Sequence, residues 1–144
     1  MSEPTTPPIS GLHHFAFTVR DLEVSIAWYQ KVFQATLVDG RLPHYGREWT
    51  GFANLVIEPR TGLAIGLHHN EGNQSEEFDE VRTGLDHISL RVEGREGLEA
   101  WADWLDSLEV AHSGIQSKKE PFVFSTIVFR DPDNIQLEVV AVDV

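Results

Sequence analysis

An alternation of bulky side chains with small or polar ones defines the first predicted element. The bulky members, Phe15, Phe17 and Val19, are separated by single small or polar residues, and His14 falls in the polar series. Side chains one residue apart on a strand point to opposite faces, so this period of two predicts a strand over 12–19. His14 would then lie on the face away from the bulky side chains.

The pattern then changes to the period of a helix. Apolar residues recur every three or four positions up to about residue 33, and Asp21 stands where its side chain can cap the first turn. A short strand near 36–38 and a hairpin of strands at 49–58 and 62–70 are predicted to follow. The first half of the chain is therefore predicted to contain a strand, a helix and three more strands.

The second half repeats this order at a shift of 73 positions. The shift carries Gly11 onto Gly84, His14 onto His87, and Trp28 onto Trp101. The predicted elements are a strand at 85–92, a helix at about 95–108, a short strand at 112–115, and strands at 122–129 and 135–141. A repeat at a fixed period indicates two copies of one supersecondary unit. We expect both tryptophans to pack helix against sheet.

The predicted fold is therefore α+β, with two βαβββ modules whose helices cover the outer faces of their sheets. We expect a flexible N-terminal leader over 1–9, followed by one domain over 10–142. In that domain module 1 spans about 10–70, an acidic linker about 71–83, and module 2 about 84–142.

The charge balance limits the possible partners. Twenty-three acidic residues against 11 Lys and Arg give a net charge of −12. This excess argues against nucleic acids and anionic membranes, because both require clustered cations. No apolar run approaches the roughly 20 residues of a membrane span. The absence of cysteine removes disulfides and thiolate chemistry, so we expect a cytoplasmic protein whose partner is a small molecule.

Three potential metal ligands are predicted to share one sheet face. By strand parity, His14, His87 and Glu138 all point away from the helices. Two imidazoles and one carboxylate can bind a divalent metal and leave positions open for a substrate. Zn, Fe, Mn, Ni and Co all suit such a set. Whether the three side chains meet within one chain or across a homodimer stays open.

These motifs resemble the vicinal oxygen chelate (VOC) superfamily. The resemblance rests on the paired modules, on His14, on His87 within Asp-His-Ile-Ser, and on Phe129-Arg-Asp-Pro-Asp-Asn-Ile-Gln-Leu-Glu138, and it covers about residues 9–142. It implies a glyoxalase-like pair of half-barrels, metal ligands on the first and last strands of each module, and a homodimer. Glyoxalase I, extradiol dioxygenases, fosfomycin-resistance transferases and bleomycin-binding proteins belong to this superfamily.

The fourth ligand position that the resemblance implies carries no ligand in this chain. At an offset of 72 residues Gly66 falls where Glu138 stands, whereas glyoxalase I has a carboxylate there. His68, two residues further on, shares that face. It could serve as a fourth ligand, contact a metal-bound water, or act as a general base. His69 faces the opposite way, although a bulge would exchange the two histidines.

Further side chains are candidates for substrate contact. Arg91 and Gln136 are predicted on the open face, where they could bind an anionic or carbonyl group, although a strand-end salt bridge is the ordinary role of such an arginine. Aromatic residues could line an apolar pocket or belong to the core; they are Trp49, Phe52, Phe122 and Phe124. His13, His44 and His112 have no chemical partners that the sequence reveals.

Two functions are consistent with these features. The first is a metal-dependent enzyme that binds a small oxygenated substrate by chelation, with Glu138 or His68 moving a proton; isomerase or lyase, dioxygenase and epoxide-transferase chemistry all fit. The alternative is a bleomycin-resistance-type protein that binds or sequesters a small molecule without catalysis. The net charge of −12 would favour a cationic ligand there.

Overall fold

Each module of the chain forms its own sheet. The structure is a computed structural model that describes residues 2–144. Module 1 contains β1 (His14–Thr18), α1 (Leu22–Phe33), β2 (Thr36–Leu37), β3 (Leu42–Pro43), β4 (Gly51–Ile57) and β5 (Ala64–Asn70). Module 2 contains β6 (His87–Arg91), α2 (Gly94–Ser107), β7 (Gln116–Lys118), β8 (Phe124–Arg130) and β9 (Gln136–Val142). The predicted fold class is confirmed.

The two sheets have corresponding topologies. The first has the order β1-β5-β4-β2, with β3 also pairing with β4, and the second has the order β6-β9-β8-β7. In both, the first strand runs parallel to the last strand of its module and lies at the sheet edge. Ala16 pairs with Gly66, and Ser89 pairs with Glu138. This register confirms that Gly66 and Glu138 occupy equivalent positions.

The helices begin and end close to where the sequence places them. The Asp21 side chain accepts a hydrogen bond from the Val24 N–H at 3.2 Å and caps α1. The helix ends at Phe33, because Gln34 takes a left-handed conformation with φ of 51°. In the second module α2 begins at Gly94, one residue before its predicted start.

The helices join the two modules in one core. The Trp28 ring of α1 lies 6.3 Å from the Phe129 ring of β8, and Phe33 lies 5.8 Å from Trp101 of α2. In addition, the Trp104 indole N–H donates to the Val32 carbonyl at 2.8 Å. Trp101 packs on its own sheet, as expected, whereas Trp28 also packs across the module boundary. Neither module therefore has a separate hydrophobic core.

The Asp-Pro-Asp-Asn turn between β8 and β9 attaches module 2 to the start of module 1. Asp133 is buried and accepts hydrogen bonds from Arg20 Nε at 2.8 Å and from the Ser25 hydroxyl at 3.2 Å. The Tyr29 hydroxyl donates to the buried Asp131 carboxylate at 2.7 Å. Burial raises the pKa of Asp131 and raises that of Tyr29 further above its usual range. The turn therefore stabilises the contact between modules.

Two short segments differ from the sequence prediction. Residues 112–115 form one isolated bridge, from His112 to Phe129, instead of a strand, and the edge strand of this sheet lies at β7. The reason is local, because His112 bonds to Asp106 at 2.9 Å and accepts from the Gly114 N–H at 3.0 Å, which turns the chain there. The loop predicted between the second and third strands of module 1 contains the two-residue strand β3.

Candidate functional site

The structure brings His87 and Glu138 together on the open face of module 2. Glu138 pairs with Ser89, and His87 precedes Ser89 by two residues on the same face of β6. The His87 Nε2 atom lies 3.6 Å from Glu138 Oε1. The His87 side chain is 37% exposed and that of Glu138 is 15% exposed. The imidazole and the carboxylate therefore face each other at an accessible surface.

Asp86 orients the His87 ring. Its carboxylate lies 2.7 Å from His87 Nδ1, so Nδ1 donates to it and Nε2 is the ring nitrogen that faces Glu138. A carboxylate that holds one ring nitrogen while the other is left free is a typical arrangement for a metal-binding histidine. The donor chemistry of His87 and Glu138 thus fits a divalent metal.

His14 has an analogous neighbour in module 1. The Nδ1 atoms of His13 and His14 are 2.8 Å apart, and the shift of 73 positions that carries His14 onto His87 carries His13 onto Asp86. In both modules, then, the preceding residue contacts Nδ1 of the candidate ligand. The sequence suggested no partner for His13, and the repeat register was the signal that could have identified it.

Within one chain the predicted ligand set is not assembled. His14 and His68 lie on the sheet of module 1, while His87 and Glu138 lie on the sheet of module 2. Across residues 2–144 no three side chains from His, Asp or Glu stand close enough to hold one metal ion. The structure therefore supplies the His87–Glu138 pair in one place and His14 in another.

His68 lies against His44. The two ring centroids are 4.7 Å apart at an interplanar angle of 64°. Burial, with smaller effects of His44 and His14, lowers the pKa of His68 and favours its neutral form. The predicted opposite orientation of His69 is confirmed, since it pairs with Phe52 on the other face of the sheet with ring centroids 5.1 Å apart.

His44 is the residue of this region that sequence reasoning missed. It follows the short strand β3, and its Nδ1 atom lies beside Gly51 of β4. A Cβ atom at position 51 would approach His44 Nδ1 to 3.3 Å, closer than most such contacts, so the glycine leaves room for this ring. No fixed spacing links His44 to His68, because only the β3–β4 pairing brings them together.

Two predicted substrate contacts lie on the open face of module 2. Arg91 is exposed there, in β6. Gln136 pairs with Arg130 and accepts a hydrogen bond from its guanidinium at 3.0 Å. Arg130 also forms an ion pair with Glu80 at 2.8 Å. Gln136 is therefore already hydrogen-bonded to Arg130. Arg130 itself lies near the His87–Glu138 pair, and the sequence did not single it out.

The candidate aromatic residues are distributed over different surfaces. Trp49 is 94% exposed in the turn before β4. Phe124 is half-buried and lies 5.2 Å from the ring of Phe122. Phe52 lies on the face opposite His68, with the Arg41 guanidinium 3.9 Å above its ring. Phe52 thus does not line the open face, because its parity on β4 directs it the other way.

Residues of β1, β6 and the linker line a cavity of about 510 Å³. Phe17 and Ile88 contribute to its apolar lining. The linker contributes charged side chains to its wall, namely Glu76, Glu77, Asp79 and Arg82. The acidic linker is held by the Phe78 N–H, which donates to the Asp133 carbonyl at 2.8 Å.

The described part of the chain, residues 2–144, includes no helix with the length and apolarity needed to span a bilayer.

Comparisons with protein families and with solved structures show which proteins this chain resembles. A sequence model of the Glyoxalase/Bleomycin resistance protein/Dioxygenase superfamily matches residues 11–139. A search of curated proteins finds no match. Among solved structures, a glyoxylase/bleomycin resistance protein/dioxygenase domain from Frankia sp. EAN1pec is 32% identical, with a TM-score of 0.78 over 94% of this chain and 99% of that one.

The fosfomycin resistance protein FosX from Listeria monocytogenes shares the fold. It is 21% identical, with a TM-score of 0.65 over 95% of this chain and 94% of that one. A FosX variant solved with Mn(II) and 1S,2S-dihydroxypropylphosphonic acid is 21% identical, with a TM-score of 0.60 over 92% and 90% of the two chains. With its match over residues 11–139, the chain belongs to the Glyoxalase/Bleomycin resistance protein/Dioxygenase superfamily.

Proposed function

We propose that this protein is a divalent-metal-dependent enzyme that acts on a small substrate with adjacent oxygen atoms. The observation that carries the proposal is the arrangement of Asp86, His87 and Glu138. Asp86 holds Nδ1 at 2.7 Å, which leaves Nε2 of His87 facing the Glu138 carboxylate at 3.6 Å. When bound, a divalent ion would polarise substrate oxygens at this face.

The complete ligand set is proposed to form between two copies of the chain. His87 and Glu138 of one protomer would be joined by His14 of its partner. Within residues 2–144, β1 and β6 are edge strands that each pair on one side only, and each carries one of the two histidines. The Mn(II) found with FosX supports a divalent metal for this fold.

Gly66 favours chemistry other than that of glyoxalase. The position equivalent to Glu138 in module 1 has no side chain, and a Cβ atom there would come within 3.0 Å of the Ala16 Cβ. A second carboxylate ligand at this position would therefore require Ala16 to shift by a few tenths of an ångström. The proposed reaction is ring-opening oxygenation, isomerisation or lysis without a second carboxylate, or group transfer to an epoxide.

Metal titration tests the proposal. After chelation and reloading, we expect Mn²⁺ or Zn²⁺ to bind more tightly than about micromolar, which corresponds to roughly 8 kcal/mol. Glu138→Gln should weaken this affinity at least tenfold, because it replaces an anionic oxygen ligand by a neutral amide. Glu99→Gln, an exposed change of the same type on α2, is the control. Equal Mn²⁺ affinities in the two variants would refute the proposed site.

A substrate screen with the loaded protein identifies the reaction. Methylglyoxal–thiol adducts, catechols and epoxide antibiotics represent the three classes of chemistry. We expect the protein to turn over one of these classes. The rate should fall in Glu138→Gln and be retained in Glu99→Gln. Turnover that survives complete metal removal would contradict the proposed metal dependence.

The cavity between the modules favours a second candidate, a binding protein for an organic cation. Its apolar lining and its acidic linker side chains would suit an amine with an apolar body. Isothermal titration of metal-free protein with a cationic acridine dye tests this candidate. We expect the double variant Glu76→Gln/Glu77→Gln to bind the dye more weakly while its metal affinity is unchanged. Binding that requires metal would exclude it.

A further inference from the structure

Module 1 carries an imidazole pair that the proposed ligand set does not use. His44 and His68 come from the loop after β3 and from β5, and their ring centroids lie 4.7 Å apart. The pair lies on the face where His14 also lies, at a place in module 1 for which module 2 has no histidine. By the offset of 72, His68 corresponds to Val140.

The contact leaves both rings with unsatisfied polar atoms. Within residues 2–144 neither His44 Nδ1 nor His68 Nδ1 has a hydrogen-bond partner, and both atoms are buried. A buried polar atom without a partner ordinarily costs about 1–3 kcal/mol, so native structures rarely keep one without a reason. Two such atoms on touching rings indicate that a ligand satisfies them.

The chemistry of the two rings selects the class of ligand. Neutral imidazole nitrogens are good ligands for Zn²⁺, Ni²⁺, Co²⁺ and Cu²⁺, and poor ones for Mg²⁺ or Ca²⁺. We propose that His44 and His68 form a two-imidazole site for a divalent transition-metal ion, with water in the remaining positions. This site is separate from the His87–Glu138 pair.

Copper binding in a background that lacks the first site tests the proposal. In Glu138→Gln protein, one Cu²⁺ per chain should remain bound, and its electron paramagnetic resonance spectrum should show coupling to two nitrogens. Adding His44→Gln or His68→Gln should weaken this binding at least tenfold and reduce the coupling to one nitrogen. His69→Gln, a change at the adjacent residue on the other face, is the matched control and should change neither.

Three results would overturn the two-imidazole site. The first is that Glu138→Gln protein binds no Cu²⁺. The second is that its Cu²⁺ binding is unchanged by adding His44→Gln and by adding His68→Gln. The third is that adding His69→Gln weakens Cu²⁺ binding as much as these two changes do. Thermal unfolding of the metal-free variants establishes that each is folded. The outcome is independent of the proposed enzyme site, which fails if Glu138→Gln leaves the tight Mn²⁺ affinity unchanged.

Discussion

Asp86 and His13 show how single residues prepare the two candidate ligands. Each contacts Nδ1 of the following histidine, at 2.7 Å in module 2 and 2.8 Å in module 1. In module 2 this contact leaves Nε2 as the available nitrogen, because a carboxylate only accepts and Nδ1 must therefore donate. The orientation of His87 toward Glu138 thus depends on a neighbour that is not itself a proposed metal ligand.

Removal of the Asp86 carboxylate should weaken metal binding without abolishing it. We expect Asp86→Asn to lower the affinity for Mn²⁺ or Zn²⁺ by about 10- to 100-fold, because the ring loses its anionic partner while the ligands remain. Isothermal titration measures the change, and Asp103→Asn on α2 is the control. An affinity equal to that of the control would show that Asp86 does not tune His87.

Gly66 allows a stability prediction at the residue scale. A Cβ atom there would lie 3.0 Å from the Ala16 Cβ, so we expect Gly66→Ala to destabilise the fold by about 1–3 kcal/mol through overpacking. The double variant Ala16→Gly/Gly66→Ala should recover part of this loss, because the clash is removed. Urea unfolding measures both. A single variant as stable as the wild type would contradict this account of the glycine.

At the scale of elements, the turn between β8 and β9 is bonded to α1. Tyr29→Phe removes the hydroxyl that donates to buried Asp131 at 2.7 Å, and we expect a loss of about 1–3 kcal/mol in the free energy of unfolding. Without this bond the pKa of Asp131 rises further, so the loss should shrink as acidification protonates Asp131. Denaturant unfolding at several pH values checks this. A loss that grows with acidification would contradict it.

The ion pair between the linker and β8 should contribute to acid stability. The Arg130 guanidinium lowers the pKa of Glu80 from 4.5 to about 2. A carboxyl group with a lowered pKa in the folded state stabilises it above the unfolded pKa, and this stabilisation is lost as the pH falls through the folded value. We expect the free energy of unfolding of Glu80→Gln to change less with pH between pH 4.5 and about 2 than that of the wild type. An unchanged slope, compared with Glu99→Gln, would argue against it.

At the scale of the whole molecule, mixed dimers can locate the metal site. If His14 of one protomer joins His87 and Glu138 of its partner, neither His14→Gln nor Glu138→Gln homodimers hold a complete site. Dimers assembled from one chain of each variant should regain one complete site per dimer, because the two unaltered sets meet. Metal stoichiometry of the mixed and unmixed preparations measures this. No recovery on mixing would rule out a shared site.

Much of the architecture followed from patterns along the chain. The period-two alternation around Phe15 and the helical spacing after Asp21 predicted β1 and α1, because burial of one face imposes these periods. The repeat at 73 positions predicted the second module in the same way. The predicted strand at 112–115 was wrong, since the side-chain bonds of His112 displaced it. Local periodicity does not register such bonds.

The sequence alone established the duplicated module, the equivalence of His14 with His87, and the absence of a carboxylate at position 66. All three depend on register along strands, which sequence spacing encodes directly. Folding in three dimensions was needed to separate His14 from the His87–Glu138 pair, to place His44 against His68, and to engage Gln136 with Arg130. These contacts join residues with no fixed spacing, because they depend on how loops and sheets pack together.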